Sequence, residues 1–65
     1  MKNINEELKV GDEINLHIVK LGTQGDGMAR RPNGLVIFVK GSKVGEKFRA
    51  RIITLADSYA FAQKI

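Results

Sequence analysis

Apolar and polar residues alternate with a period of two over much of this chain. Between Glu13 and Leu21 the apolar residues Ile14, Leu16 and Ile18 occupy every second position, and polar residues lie between them. That spacing places the apolar side chains on one face of an extended segment, as in a strand with one buried face. We therefore predict a first strand over residues 13–21.

Four further segments have the same character, and they lie at residues 28–31, 35–39, 46–54 and 59–65. The run from Leu35 to Val39 is β-branched and aromatic, which favours a strand most strongly. In the next predicted strand, apolar and basic residues alternate, so they lie on opposite faces. The apolar residues are Phe48, Ala50 and Ile52, and the basic residues are Lys47, Arg49 and Arg51. The chain is thus predicted to be all-β, with five strands and no helix.

Glycine-rich and polar segments separate the predicted strands. The loop 22–27 contains three glycines, which either support a barrel corner with positive φ or let a ligand approach the backbone closely, and both interpretations stay open. Further turns and loops are predicted at residues 32–34, 41–45 and 55–58, and residues 1–7 are predicted to form a loose N-terminal extension.

Five short strands in 65 residues favour a closed or nearly closed antiparallel barrel, because closure removes the exposed edges of a small sheet. An OB-like and an SH3-like barrel both fit this pattern. The inward positions of a narrow barrel are filled by side chains that suit its taper. We therefore expect Ala60 and Ala62 inside and Tyr59 and Phe61 on the outer face. Residues 1–65 are expected to form a single domain.

Composition narrows the classes of function. A chain without cysteine has no disulfide and no thiol nucleophile, and a core this small leaves little room for a deep substrate pocket. His17, the sole histidine, lacks neighbours that complete a catalytic or metal-binding set. We expect an exposed His17, no metal, no cofactor, no small-molecule substrate and no enzymatic activity. The lack of an apolar leader or of an apolar run of about 18 residues favours a soluble cytoplasmic protein without membrane contact.

Basic residues are concentrated in the middle of the chain. The formal net charge is +4, and the segment from Arg30 to Arg51 contains seven basic residues and one acidic residue. The 29 residues before Arg30 contain three basic and five acidic residues. A concentrated basic segment is typical of surfaces that bind nucleic-acid phosphates. From charge alone, a solvated surface that aids solubility is an open alternative.

Aromatic residues are the second candidate feature of a nucleic-acid surface, because bases stack on exposed rings with about 1–3 kcal/mol per base. Phe38 is in phase with Lys40 rather than with the apolar residues of its strand, so we predict that its ring faces outward. Phe48 is in phase with apolar residues, and from the pattern its position is open between core and surface. Gln24 in the glycine-rich loop offers both a donor and an acceptor to a base edge.

Four motifs, in order along the chain, resemble the TRAM domain. They are Gly22-x-Gln24-Gly25-Asp26-Gly27-Met28-Ala29-Arg30, Gly34-x-Val36-Ile37-Phe38-Val39, Gly41-x-x-x-Gly45-Glu46 and Tyr59-Ala60-Phe61-Ala62. Spaced motifs in a fixed order are more specific than a lone glycine-rich loop. The resemblance implies a five-stranded, OB-like barrel that binds RNA and also occurs as a module appended to enzymes that modify transfer or ribosomal RNA. It also favours a surface position for Phe48.

The residues and the resemblance together predict an RNA-binding protein of low sequence specificity. The candidate RNA contacts are Gln24, Gly25, Arg30, Phe38, Lys40, Lys47, Phe48, Arg49, Arg51, Tyr59 and Phe61. Small standalone members of the family resemble cold-shock proteins, which implies a monomeric RNA chaperone that binds single-stranded or looped RNA and melts its secondary structure. The alternative is an accessory subunit that binds protein, tRNA or rRNA in the machinery of translation or RNA modification.

Overall fold

The computed structural model describes residues 8–32 and 34–65, and in these ranges the chain forms strands and loops without a helix. The strands are β1 (Glu13–His17), β2 (Lys20–Leu21), β3 (Gly27–Arg30), β4 (Val36–Val39), β5 (Lys47–Leu55) and β6 (Tyr59–Lys64). The predicted all-β class is confirmed. The structure has six strands where five were predicted, because Ile18 and Val19 interrupt the predicted first strand. The predicted loose extension at residues 1–7 and Asn33 of the predicted turn lie outside the described residues.

The strands form one sheet in the order β1-β5-β6-β4-β3-β2, so its two edges, β1 and β2, are consecutive in the chain. The sheet therefore curls until its edges meet at the two connecting residues. The Ile18 N–H donates to the Glu46 carbonyl at 2.9 Å, beside β5, and the Val19 N–H donates to the Met28 carbonyl of β3 at 3.0 Å. The break in the first strand is thus the point where the chain passes from one edge of the curled sheet to the other, in the manner of a small barrel.

One strand pair departs from the predicted antiparallel arrangement. Four of the five pairs are antiparallel, and β4 pairs with β6 in parallel. A parallel pair needs a crossover connection between its strands. Here β5 supplies it, because β5 pairs with β1 on its other side and returns the chain so that β6 lies next to β4.

Within the described part of the chain, ten buried apolar residues fill the inside of the curled sheet, namely Leu16, Ile18, Ala29, Leu35, Ile37, Val39, Ala50, Ile52, Ala60 and Ala62. The inward positions of β6 are both alanine, as predicted. Ala60 lies opposite Ile37, and Ala62 lies opposite Val39 on one side and Ile52 on the other. Small residues in this strand leave room for the larger side chains of both neighbouring strands at the centre.

Glycines of the loop 22–27 have two structural roles. Gly25 has a φ of +86°, a conformation that glycine adopts without strain. Gly27, at the start of β3, lies against the buried Ser42, whose hydroxyl donates to the Val39 carbonyl at 2.8 Å. A Cβ at Gly27 would overlap the Ser42 Oγ. The absence of a side chain at Gly27 therefore lets the loop 41–45 pack against the core.

Candidate nucleic-acid interface

Three aromatic side chains lie together on the outer face of β4 and β6. Tyr59 and Phe61 alternate with the buried alanines of β6 and are 43% and 39% exposed, as predicted. Phe38, half-buried on the outer face of β4, is in register with Phe61. The ring centroids of Phe38 and Phe61 are 5.6 Å apart, and those of Tyr59 and Phe61 are 5.7 Å apart with the rings nearly perpendicular. Both distances suit attractive aromatic pairs. We call these three residues the aromatic cluster.

A groove of about 790 Å³, the large groove, borders the aromatic cluster. It is lined by Phe38, Lys40, Ile53, Thr54, Phe61, Ala62, Gln63 and Lys64. The lining combines two aromatic rings with two lysines, a hydroxyl and an amide. It therefore offers an apolar surface for a base together with cations for phosphate oxygens.

A β-bulge in β5 forms one wall of the large groove. The register of β5 against β6 shifts between Ile52 and Thr54, and a bulge of this kind bends its strand and changes the direction of nearby side chains. Ile53 is 49% exposed beside the buried Ile52. The site residues predicted from the sequence do not include Ile53, Thr54, Gln63 or Lys64. The adjacent isoleucines were the available signal, since alternation puts one of them on the outer face.

A second groove of about 230 Å³, the small groove, shares Phe38 and Phe61 with the large one. Its lining consists of Gly22, Thr23, Gln24, Asp26, Phe38 and Phe61. The loop is closed by hydrogen bonds from the Gly22 N–H to the Asp26 carbonyl (2.7 Å) and from the Gly25 N–H to the Gly22 carbonyl (3.0 Å). A Cβ at Gly22 would lie 3.8 Å from Phe38 Cε1. The fold thus brings Gln24 beside the aromatic cluster, with the exposed Gly25 next to it in the same loop.

Arg49 and Arg51 on β5 share one carboxylate on β1. Register places Glu13 opposite Arg51, whose Nη2 lies 2.8 Å from Glu13 Oε2, and Arg49 Nε lies 3.5 Å from Glu13 Oε1. The hydrogen bond from Arg51 is the main cause that lowers the pKa of Glu13 below its ordinary value. Both arginine side chains are about half exposed, at 55% and 50%, so each has guanidinium N–H groups that can reach an incoming phosphate.

The prediction that Phe48 faces outward is wrong. Its side chain is partly buried and packs against the core, because β5 alternates regularly at its start and the bulge lies further along, at Ile52–Thr54. The Nζ of Lys64 is 4.9 Å from the centroid of the Phe48 ring and 3.3 Å from a carboxylate oxygen of Glu46. A hydrogen bond from the Lys43 N–H is the main cause that lowers the pKa of Glu46, and Lys64 lowers it further. Phe48 therefore packs at the edge of the core, where the ion pair of Lys64 with Glu46 lies beside its ring.

The remaining predicted contacts fall outside the aromatic cluster. Lys47, Phe48 and Arg49 line a third groove of about 410 Å³ together with Asn15, Leu16 and His17. This groove shares no residue with the large or the small groove. Arg30 is exposed on β3 opposite Val36, which is itself in register with Tyr59. Arg30 therefore lies on the same face as the cluster, two strands away from Tyr59.

The described residues contain no group of three or more histidine, cysteine, aspartate or glutamate side chains that could hold a metal ion. His17 is exposed, as predicted. Across residues 8–32 and 34–65 there is also no helix long and apolar enough to span a bilayer. Around the aromatic cluster, the two grooves present aromatic rings, amides, a hydroxyl, lysines and the carboxylate of Asp26.

The chain is similar to known proteins in sequence and in structure. The family model of the TRAM domain matches residues 7–65. Ribosomal RNA large subunit methyltransferase E of Methanosarcina barkeri is 43% identical over 61 residues, which are 94% of this chain and 23% of that protein. An uncharacterized protein of Methanocaldococcus jannaschii is 36% identical over 61 residues, covering 94% of this chain and 78% of that one.

Among solved structures, the solution structure of a conserved protein of Methanococcus maripaludis superposes with a TM-score of 0.79 at 29% identity, covering 89% of this chain and 81% of that chain. The family match extends over all the described residues and includes all four motifs quoted from the sequence. The chain belongs to the TRAM family of RNA-binding domains.

Proposed function

We propose that this chain binds single-stranded or looped RNA with low sequence specificity and acts as an RNA chaperone. The observation that carries the proposal is the aromatic cluster, whose rings lie 5.6 and 5.7 Å apart beside a groove that also contains Lys40 and Lys64. Unpaired bases would stack on the rings, and the lysines would contact the phosphates. We assign the chain no chemical step.

Stacking explains both the low specificity and the chaperone activity. Every base has a π-face, so stacking on the aromatic cluster tolerates any sequence and contributes about 1–3 kcal/mol per base. Bases within a helix already stack on one another and cannot also stack on protein rings. A protein that binds only the open strand shifts the equilibrium between hairpin and open strand toward the open form by mass action.

Cations around the cluster would provide further phosphate contacts. Arg30 is exposed on the same sheet face, and Arg49 and Arg51 can exchange contacts with Glu13 for contacts with phosphate. In the small groove, Gln24 and the backbone at Gly25 would contact a base or its sugar. Lys47, at the start of β5, would contact a further phosphate of the RNA backbone. We do not include Phe48 among the stacking residues, because its ring packs against the core.

The test is a fluorescence-anisotropy titration of a labelled, unstructured RNA at about 50 and 200 mM salt, the range over which phosphate contacts lose affinity steeply. We expect binding that weakens as salt rises, and opening of a fluorophore-quencher hairpin when the protein is added in excess. Undetectable binding, or binding indifferent to salt, contradicts RNA binding by this face. Salt-sensitive binding without hairpin opening contradicts the chaperone activity alone.

A second candidate function is that of an accessory module for RNA-modifying or translation machinery. The methyltransferase relative contains a matching segment within a much longer chain. In this chain Val19, Leu21 and Val44 are 56%, 46% and 58% exposed and do not line the large or the small groove. If the chain is such an accessory module, Val44→Asp should abolish co-purification with a protein partner while RNA binding persists. We further propose that the chain is a cytoplasmic monomer. Sedimentation of the purified protein tests the monomeric state, and cell fractionation tests the location.

A further inference from the structure

We propose that the small groove is a subsite for a single guanine base, whose Watson–Crick edge Asp26 recognises while its ring stacks against Phe38 and Phe61. The inference rests on the proposed RNA binding and adds a base preference to it. Stacking and phosphate contacts are blind to base identity, so any preference must arise from a polar group placed beside the rings.

Asp26 is a half-buried acid beside the aromatic cluster. Three of the other four side-chain carboxylates in the described ranges are engaged by the protein: Glu13 by the arginines of β5, Glu46 by Lys43 and Lys64, and Asp12 by the Lys9 N–H at 2.9 Å. The fourth, Asp57, is exposed and lines neither the large nor the small groove. No ion pair or side-chain hydrogen bond within residues 8–32 and 34–65 occupies the Asp26 carboxylate. Its acceptor oxygens are therefore available to a ligand.

A carboxylate on a phosphate-binding face repels the backbone of RNA. Its presence favours binding only where the ligand brings N–H donors to it. An ionised carboxylate accepts hydrogen bonds through two oxygens and donates none. Among the four bases, guanine alone presents two adjacent N–H donors, N1–H and the N2 amino group, on its Watson–Crick edge. Adenine and cytosine present one amino group beside an acceptor, and uracil presents one N–H between two carbonyls.

The rest of the small groove complements the same edge. The third group of that edge is the O6 acceptor. The amide of Gln24, which lines the groove together with Asp26, can donate to it. A volume of about 230 Å³ lies below the ~300–1,000 Å³ of sites for drug-sized ligands, which suits one flat ring rather than a whole nucleotide. The hydrogen bonds between Gly22 and Asp26 and between Gly22 and Gly25 hold the loop in position before RNA arrives.

The test uses heptamers of uridine that carry a central guanosine, inosine, adenosine or uridine. Wild type should bind the guanosine heptamer about five- to 150-fold more tightly than the all-uridine one, because a bidentate base contact discriminates by about 1–3 kcal/mol. Inosine, which lacks the N2 amino group, should lose most of this gain. Asp26→Asn should bind the all-uridine heptamer at least as tightly as wild type, since a repelling charge is gone, and should lose the preference for guanosine.

Asp57→Asn is the matched control, because it removes the charge of an exposed acid that lines neither groove. It should leave the ratio of guanosine to uridine affinity unchanged. Equal binding of all four heptamers by wild type, or a guanosine preference that survives in Asp26→Asn, overturns the inference while RNA binding stands. Failure of wild type to bind any heptamer overturns the proposed function, and the inference with it.

Discussion

Replacing Phe61 with leucine should weaken RNA binding strongly without unfolding the domain. Phe61 lines both the large and the small groove, and its ring contacts Phe38 on one side and Tyr59 on the other. Leucine retains an apolar side chain on the outer face of β6 and removes the π-face on which a base stacks. The substitution therefore tests stacking separately from the shape of the sheet.

The magnitude follows from the position of the ring. One stacked base contributes about 1–3 kcal/mol, which corresponds to about a five- to 150-fold increase in Kd at 1.4 kcal/mol per factor of ten. The folded state loses two aromatic pairs, each worth about 0.5–1.5 kcal/mol. Phe61 is 39% exposed, so its truncation leaves an open surface rather than an internal cavity. We expect a lower unfolding temperature and a domain that stays folded at 25 °C.

Fluorescence anisotropy with an unstructured RNA measures the Kd, and circular dichroism of the same samples measures thermal unfolding. Tyr59→Phe, which retains a ring, is the control and should bind as wild type does. The reasoning is refuted if folded Phe61→Leu binds RNA within about twofold of wild type, because that corresponds to well under 1 kcal/mol of lost stacking.

Three further predictions concern charge, packing and pH. Lys40→Gln should reduce the slope of log Kd against log salt by about 0.7, the value for one phosphate contact to a single strand, whereas Lys9→Gln should leave the slope unchanged. Gly27→Ala should lower the free energy of unfolding in urea by about 1–3 kcal/mol through overpacking against a buried serine; Gly22→Ala, where an added Cβ makes only ordinary contacts, should cost less. Because the pKa of Glu46 is lowered in the folded state, its stabilising contribution is present above the ordinary value of 4.5 and is lost as pH falls through the folded pKa. The free energy of unfolding of Glu46→Gln, measured in urea at decreasing pH, should therefore fall less steeply than that of wild type.

Alternation along single strands was sufficient to predict much of the site. Large and small residues alternate in β6, which indicates which side chains face outward. The outward positions of Tyr59 and Phe61 follow from that pattern alone. The same reasoning placed Phe38 on the outer face of β4. These predictions are reliable because a one-residue change of phase would move the inward alanines to solvent and the rings into the core.

Contacts between distant segments were not predictable from local pattern. Alternation indicates an exposed Ile53, but it does not indicate the bulge between Ile52 and Thr54, so the groove beside Ile53 was missed. The pattern left Phe48 open between core and surface, and the surface position that the family resemblance favoured is wrong, because the ring packs against the core. The position of Gln24 beside the rings depends on how the loop 22–27 packs on β4, which only the assembled sheet determines.

An NMR titration of the labelled protein with unstructured RNA tests the RNA face most directly. The proposed interface predicts that the perturbed backbone amides cluster in the loop 22–27, in β4 and in β6, with smaller changes at the bulge of β5. Perturbations confined to the third groove, where His17 and Phe48 lie, or spread evenly over the surface, would contradict an RNA face centred on Phe38, Tyr59 and Phe61.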